Sequence, residues 1–170
     1  LREGHLSTLP PPRHIRHSPS TRADLGFFLF NTFMAGMLFG GAVISGHFIS
    51  SAVHGAFEGL MGTRTAVLPS AAITAIVTVA TFLAYEFGYW LDHCLKHKVP
   101  VLWAFHKVHH TAEHLTPLTN FRLHPVDSLM FANILALTIG ATQGAVAYGL
   151  GREAAPLAFN GSNARWTPPV

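Results

Sequence analysis

Charge is what this sequence has least of. Only 11% of its 170 residues are Asp, Glu, Lys or Arg, whereas a soluble domain typically carries about a quarter. With 49% hydrophobic residues and a mean hydropathy of +0.34, too few charged groups exist to clothe a water-facing surface. Cysteine is almost absent: the lone Cys94 excludes an internal disulfide framework and a cage of thiolate ligands. The 11 basic residues outnumber the 8 acidic ones but form no run, which speaks against nucleic acid as a partner. The first twenty residues hold a Pro-rich, Arg- and His-containing stretch in place of the apolar run of a cleavable signal peptide.

Apolar runs are what the sequence does have. Residues 1–24, with Pro10, Pro11, Pro12, Arg13, Arg16 and Arg22, read as a flexible polar tail. Residues 25–57 contain no Asp, Glu, Lys or Arg, and 25–49 is long enough for a spanning helix of about 20 residues. A second uncharged stretch covers 65–85, with Pro69 suited to its first turn, and a third covers 128–151. Between them lies a polar, histidine-dense segment, 86–127. The expectation is an all-α integral membrane bundle over residues 25–152, with about three transmembrane helices and a short further helix carrying histidines. Residues 153–170 show no periodicity and read as an irregular tail; with Leu1 in place of Met at the start, the chain reads as a fragment or truncated product. Arg2, Arg13, Arg16 and Arg22 in the tail, and Lys96, Lys98, Lys107 and Arg122 in the polar segment, place both on the cytoplasmic face by the positive-inside rule.

Histidine is over-represented, with twelve residues, seven of them between positions 93 and 124. Neutral imidazole is the commonest metal ligand and suits iron, zinc and copper. His93 and His97 stand one turn apart if the second span continues as a helix past residue 85. Pro100 is placed to start a short helix in which His106, His109 and His110 share a face. Five imidazoles crowded together repel if protonated and need partners if buried, and a metal removes both problems. His124, just before the third span, joins the site as a ligand or as a group behind one. Glu86 lies near the meridian of His93 and His97, and is either an acceptor orienting a ligand or an interfacial carboxylate facing headgroups. Asp92 is the second carboxylate expected behind the ligands. His114 reads as a solvent-facing loop residue, His47 and His54 as interfacial, and His5, His14 and His17 as tail residues without a role.

Tyr89-Trp90 followed by His93-x-x-x-His97, then Trp103-x-x-His106-x-x-His109-His110, then Arg122-x-His124-Pro125, resembles the fatty acid hydroxylase superfamily. That superfamily includes sterol desaturases, C4-sterol methyl oxidases and sphingolipid hydroxylases. The stretch 99–127, with Leu115-Thr116-Pro117-Leu118-Thr119, looks most like bacterial members, which implies a bacterial inner membrane. The resemblance implies a di-iron centre held by histidines, with zinc as a substitute. It also implies an O2-dependent oxidoreductase that hydroxylates or desaturates a lipid drawn from the bilayer, fed by an external electron donor. His93 and His97 then correspond to the first histidine box, and His106, His109 and His110 to the second, with no catalytic side chain beyond the ligands. The family carries a further histidine set after a membrane re-entry, and here only His114 and His124 follow His110. The expectation is therefore roughly half a di-metal site, inactive by itself. Two other readings remain: a metal-binding membrane scaffold without catalysis, and a metal transporter, which the lack of charged or histidine side chains at the centre of the spans disfavours.

Overall fold

The computed structural model describes residues 17–35, 41, 43–66 and 68–151, so the tail residues 1–16 and 152–170 lie outside the described residues. The described elements are helical throughout: α1 (Pro19–Leu29) with a π-helical turn (Phe30–Ala35), α2 (Gly46–Met61), α3 (Ser70–Lys98), α4 (Pro100–His106) and α5 (Pro125–Gly149). Two 3-10 turns, His109–Thr111 and Pro117–Phe121, lie between α4 and α5. The all-α membrane-type architecture is as expected. Its first span is not.

Residues 25–49 do not form one helix. Ser45 is extended (φ −68°, ψ 117°) and its Oγ accepts from the Phe48 N–H, so a new helix starts at Gly46. At about 1.5 Å per residue the 16-residue α2 is ~24 Å long, short of a hydrocarbon core of about 30 Å. Among the described residues, α3 (29 residues) and α5 (25 residues) are the helices long and apolar enough to cross a membrane. An uncharged run says nothing of where caps interrupt it, and that is why composition overran the break. The expected tail is also shorter than read. Ser18 accepts from the Thr21 N–H at 3.1 Å and Pro19 takes the first helical position, so residues 19–24 belong to α1.

The described chain divides into two compact units. One holds the described parts of Leu1–Val43 with Trp90–Asn133; the other holds Ile44–Tyr89 with the described part of Ile134–Val170. Across the described residues the usual polarity of a protein is inverted. Only Ala84, Tyr148 and Leu150 are buried hydrophobics, against nine buried polar or charged residues, while Val79, Phe82, Leu83, Phe87 and Trp90 on α3 are more than half exposed. Large apolar side chains outside and charges inside suit a surround of lipid rather than water.

In the second unit, α2 and α5 approach through small residues. A Cβ on Gly140 would lie 2.6 Å from the Gly46 carbonyl oxygen, and one on Gly144 would collide with the Ser50 carbonyl oxygen and stand 3.0 Å from Val53 Cβ. This four-residue spacing of small side chains lets backbones close together where no hydrophobic effect drives them. Below it, Tyr148 stacks on Phe57 (centroids 5.3 Å) and donates its hydroxyl to the carbonyl of Gly62, which ends α2 at φ +78°.

In the first unit, Asp24 of α1 is fully buried and binds Arg122 Nε through Oδ1 at 2.5 Å. Its Oδ2 accepts from Thr119 at 3.1 Å and Thr116 at 3.4 Å, while Arg122 also donates to the Ser20 carbonyl and to Thr111 Oγ1. Asn31 of the π-helical turn donates to the carbonyls of Phe121 and Leu123, both at 3.0 Å.

Two outcomes follow. Gly144→Val is expected to lower stability by about 1–3 kcal/mol through overpacking. Gly59→Ala, where a Cβ meets nothing within 4 Å, leaves it unchanged; thermal melts in detergent compare them. Asp24→Ala leaves Arg122 buried without its carboxylate and is expected to cost about 3–5 kcal/mol in the same assay.

Candidate metal centre

The first histidine pair is set by helix continuity. α3 runs unbroken to Lys98, so His93 and His97 lie one turn apart with ring centroids 4.6 Å from each other. Pro100 starts α4 as expected, and α4 ends at His106 with Lys107 as its cap. The chain then turns, and His110 falls in the 3-10 turn. His106 stands 5.0 Å from His93 and 5.1 Å from His97, and His110 stands 4.9 Å from His97 and 5.1 Å from His106, measured between ring centroids.

One nitrogen from each of His93, His97, His106 and His110 lies within 4.8 Å of all the others. Four imidazole nitrogens about 2.1 Å from one ion in a tetrahedron are ~3.4 Å apart. The Nε2 atoms of His106 and His110 already meet that spacing at 3.3 Å. The donor set therefore fits a single ion with small side-chain rotations. Trp103 stands against it, 5.1 Å from His97 and 5.4 Å from His110, an indole wall on one side of the imidazoles. His106 is buried, whereas His97 and His110 are exposed. His109, His110, Leu115, Thr116, Thr119 and Asn120 line a cleft of about 360 Å3 beside the cluster.

The other expected members take different places. His109 stacks 5.8 Å from His106 and lies 5.3 Å from His110, but does not converge with the four, because a helical i, i+3, i+4 face does not survive the turn after His106. Its Nδ1 is buried without a hydrogen-bond partner. His124 packs on Phe105 (5.0 Å) and accepts from the Val126 N–H through Nδ1 at 3.2 Å, so it caps the start of α5 and is not part of the cluster. Glu86 is exposed. Seven residues along a helix is ~10 Å of rise, too far for its carboxylate to meet the His93 ring although both share a meridian.

Asp92 is buried but pairs with Lys96 Nζ at 2.6 Å, not with a histidine. The carboxylate that stands behind one of the four clustered histidines is Asp127, in the first turn of α5, which sequence reading passed over as the end of the polar segment. Asp127 Oδ2 lies 3.2 Å from His106 Nδ1, while Oδ1 contacts Lys96 Nζ. Lys96 also donates to the Asp127 carbonyl at 3.1 Å. The signal was available: a carboxylate at the end of an apolar span demands a partner, and Asp92 and Lys96 stand at i, i+4.

Burial pushes the His106 imidazole below its ordinary range, against the pull of Asp127. Burial, followed by repulsion from the neighbouring His109 and His97 rings, does the same to His110. Both favour the neutral form that binds metal.

Residues 78–158 match the family model for fatty acid hydroxylases. Two helices of spanning length and a cluster of imidazoles able to hold a metal ion accompany this match, which is consistent with the fatty acid hydroxylase superfamily. No solved structure matches the chain.

His97→Ala, His106→Ala and His110→Ala are each expected to weaken binding of one divalent ion by more than the roughly 10- to 100-fold typical for loss of a carboxylate behind a ligand. His109→Ala is expected to do less; titration of the detergent-purified protein with cobalt, read by its absorption bands, checks the order. A lowered imidazole pKa keeps the ligand neutral as pH falls through the ordinary range near ~6.5. Cobalt occupancy is thus expected to hold down to that pH and to fall only below it.

Proposed function

We propose that this protein binds iron and serves as a membrane-bound, O2-dependent oxidoreductase that hydroxylates or desaturates a lipid. The observation that carries the reading is the convergence of His93, His97, His106 and His110 within a segment that matches the fatty acid hydroxylase family. When bound there, iron supplies the redox chemistry that activates O2 toward an unactivated C–H bond. The donors are imidazoles without thiolates, which suits iron and also admits zinc.

The protein's own residues have separable tasks. The four histidines hold the ion, Asp127 orients His106, and Trp103 packs against His97 and His110. The cleft that includes His110 has a volume within the range of small-ligand sites, about 300–1,000 Å3, and gives an alkyl chain or sterol a route to the imidazoles. His109, with its unpartnered Nδ1, is the donor we assign to a second ion of a di-iron centre. An external donor supplies the electrons and the bilayer supplies the substrate. The excess of Lys and Arg near the histidines supports a site on the cytoplasmic face, and the resemblance supports a bacterial inner membrane.

Protein in lipid nanodiscs, loaded anaerobically with Fe(II), is expected to retain iron and to consume O2, whereas the His106→Ala variant does neither. Retention of zinc in preference to iron, with no O2 consumed, would overturn the oxidoreductase and favour an inert metal-binding membrane protein. Transfer of label from 18O2 to a lipid hydroxyl by this chain alone would show that its own ligands suffice for turnover.

A further inference from the structure

We propose that Asp127 sets the tautomer of His106, accepting its Nδ1–H and so leaving Nε2 bare toward His110. The proposal deepens the metal-site reading and rests on it for its purpose. The geometry is specific: Asp127 Oδ2 faces His106 Nδ1 at 3.2 Å, and His106 Nε2 faces His110 Nε2 at 3.3 Å. A carboxylate accepts and never donates when ionised, so the proton on this edge belongs to the imidazole. Only the other ring nitrogen can then offer a lone pair to an ion.

Lys96 makes the arrangement one-directional. Its ammonium has donors only, and it contacts Asp127 Oδ1 while Asp92 holds its other side at 2.6 Å. All four residues are at least 95% buried, so no exposed alternative competes. Asp127 is not one of the four convergent side chains, and acts as a positioning residue through His106.

This predicts an outcome that a space-filling role does not. In Asp127→Asn, Lys96 requires the amide oxygen, which turns the amide NH2 toward His106. A donor there forces Nδ1 to accept, moves the ring proton to Nε2, and blocks the ligand atom. In the double variant Lys96→Met/Asp127→Asn that demand is gone, and the amide is free to present its oxygen to His106 again.

The test is 15N NMR of histidine-labelled protein without metal, at about pH 8, above the ordinary imidazole range near ~6.5. The His106 signals are assigned with His106→Gln, and zinc affinity is measured in parallel. Wild type is expected to carry the Nδ1–H tautomer and Asp127→Asn the Nε2–H tautomer, with zinc affinity down roughly 10- to 100-fold. The double variant is expected to regain both the tautomer and the affinity. An Nε2–H tautomer in wild type, or an unchanged tautomer in a folded Asp127→Asn, would overturn the assignment, as would a double variant worse than the single one. If Asp127→Asn does not fold, the wild-type spectrum decides. Zinc bound by a wild type with Nε2–H defeats the tautomer assignment alone, whereas an Nδ1–H wild type that binds no metal upholds it and defeats the metal site.

Discussion

A carboxylate that is 1% exposed has to be answered for by its neighbours, and in this protein Asp127 is answered from two sides. Lys96 contacts one oxygen and His106 stands by the other. Removing charges from water costs several kcal/mol per ion after relaxation, so such a group persists only where partners surround it. Asp92, Lys96 and Asp127 form a chain with two acidic groups and one basic group. Ionised, the three carry one unbalanced negative charge, directed at His106. A cation held among the four imidazoles would balance it. The buried polar chain and the histidine cluster meet at one contact, between Asp127 and His106.

The same unit is braced a second time, by different chemistry. Asp24 and Arg122 form a buried pair whose remaining hydrogen-bonding capacity is taken up by Ser20, Thr111, Thr116 and Thr119. Thr111 directly follows His110, so this network fixes the turn that carries the second histidine box, while Lys96 and Asp127 fix the first residue of that box, His106. In the other unit the described helices pack through small residues. Gly46, Gly140 and Gly144 let helices meet at their backbones, which is how packing stabilises helices when lipid offers side chains an equally apolar surround.

What the sequence disclosed follows from which interactions are local. His93 and His97 were legible because helix periodicity alone brings them together, and α3 keeps that periodicity to Lys98. His106 and His110 were legible as members but not in their geometry, since the change from α4 to a 3-10 turn is what leaves His109 aside. Asp127 escaped because its partners are 31 and 21 residues away, and no spacing rule reports a contact of that range. The break in residues 25–49 was written locally, in Ser45 ahead of Gly46, as was the start of α1 in Ser18-Pro19. Scanning for charge passes over both, because caps are made of uncharged side chains.

The exposure of the donors bears on what such a site is for. A structural metal site is closed, with every ligand position filled and shielded, whereas a catalytic one leaves a position reachable from outside. Here His106 is locked from behind by Asp127, yet His97 and His110 are exposed, and His110 also lines the cleft that runs to Thr116, Thr119 and Asn120. One flank is thus rigid and buried while the opposite flank is accessible. Imidazole ligands carry no negative charge of their own, so the carboxylate nearest a bound ion would be that of Asp127, behind His106. Four imidazoles alone fill a tetrahedral ion, so a further ligand would bind only by expanding that coordination, and the exposed His97 and His110 mark the side from which it would arrive.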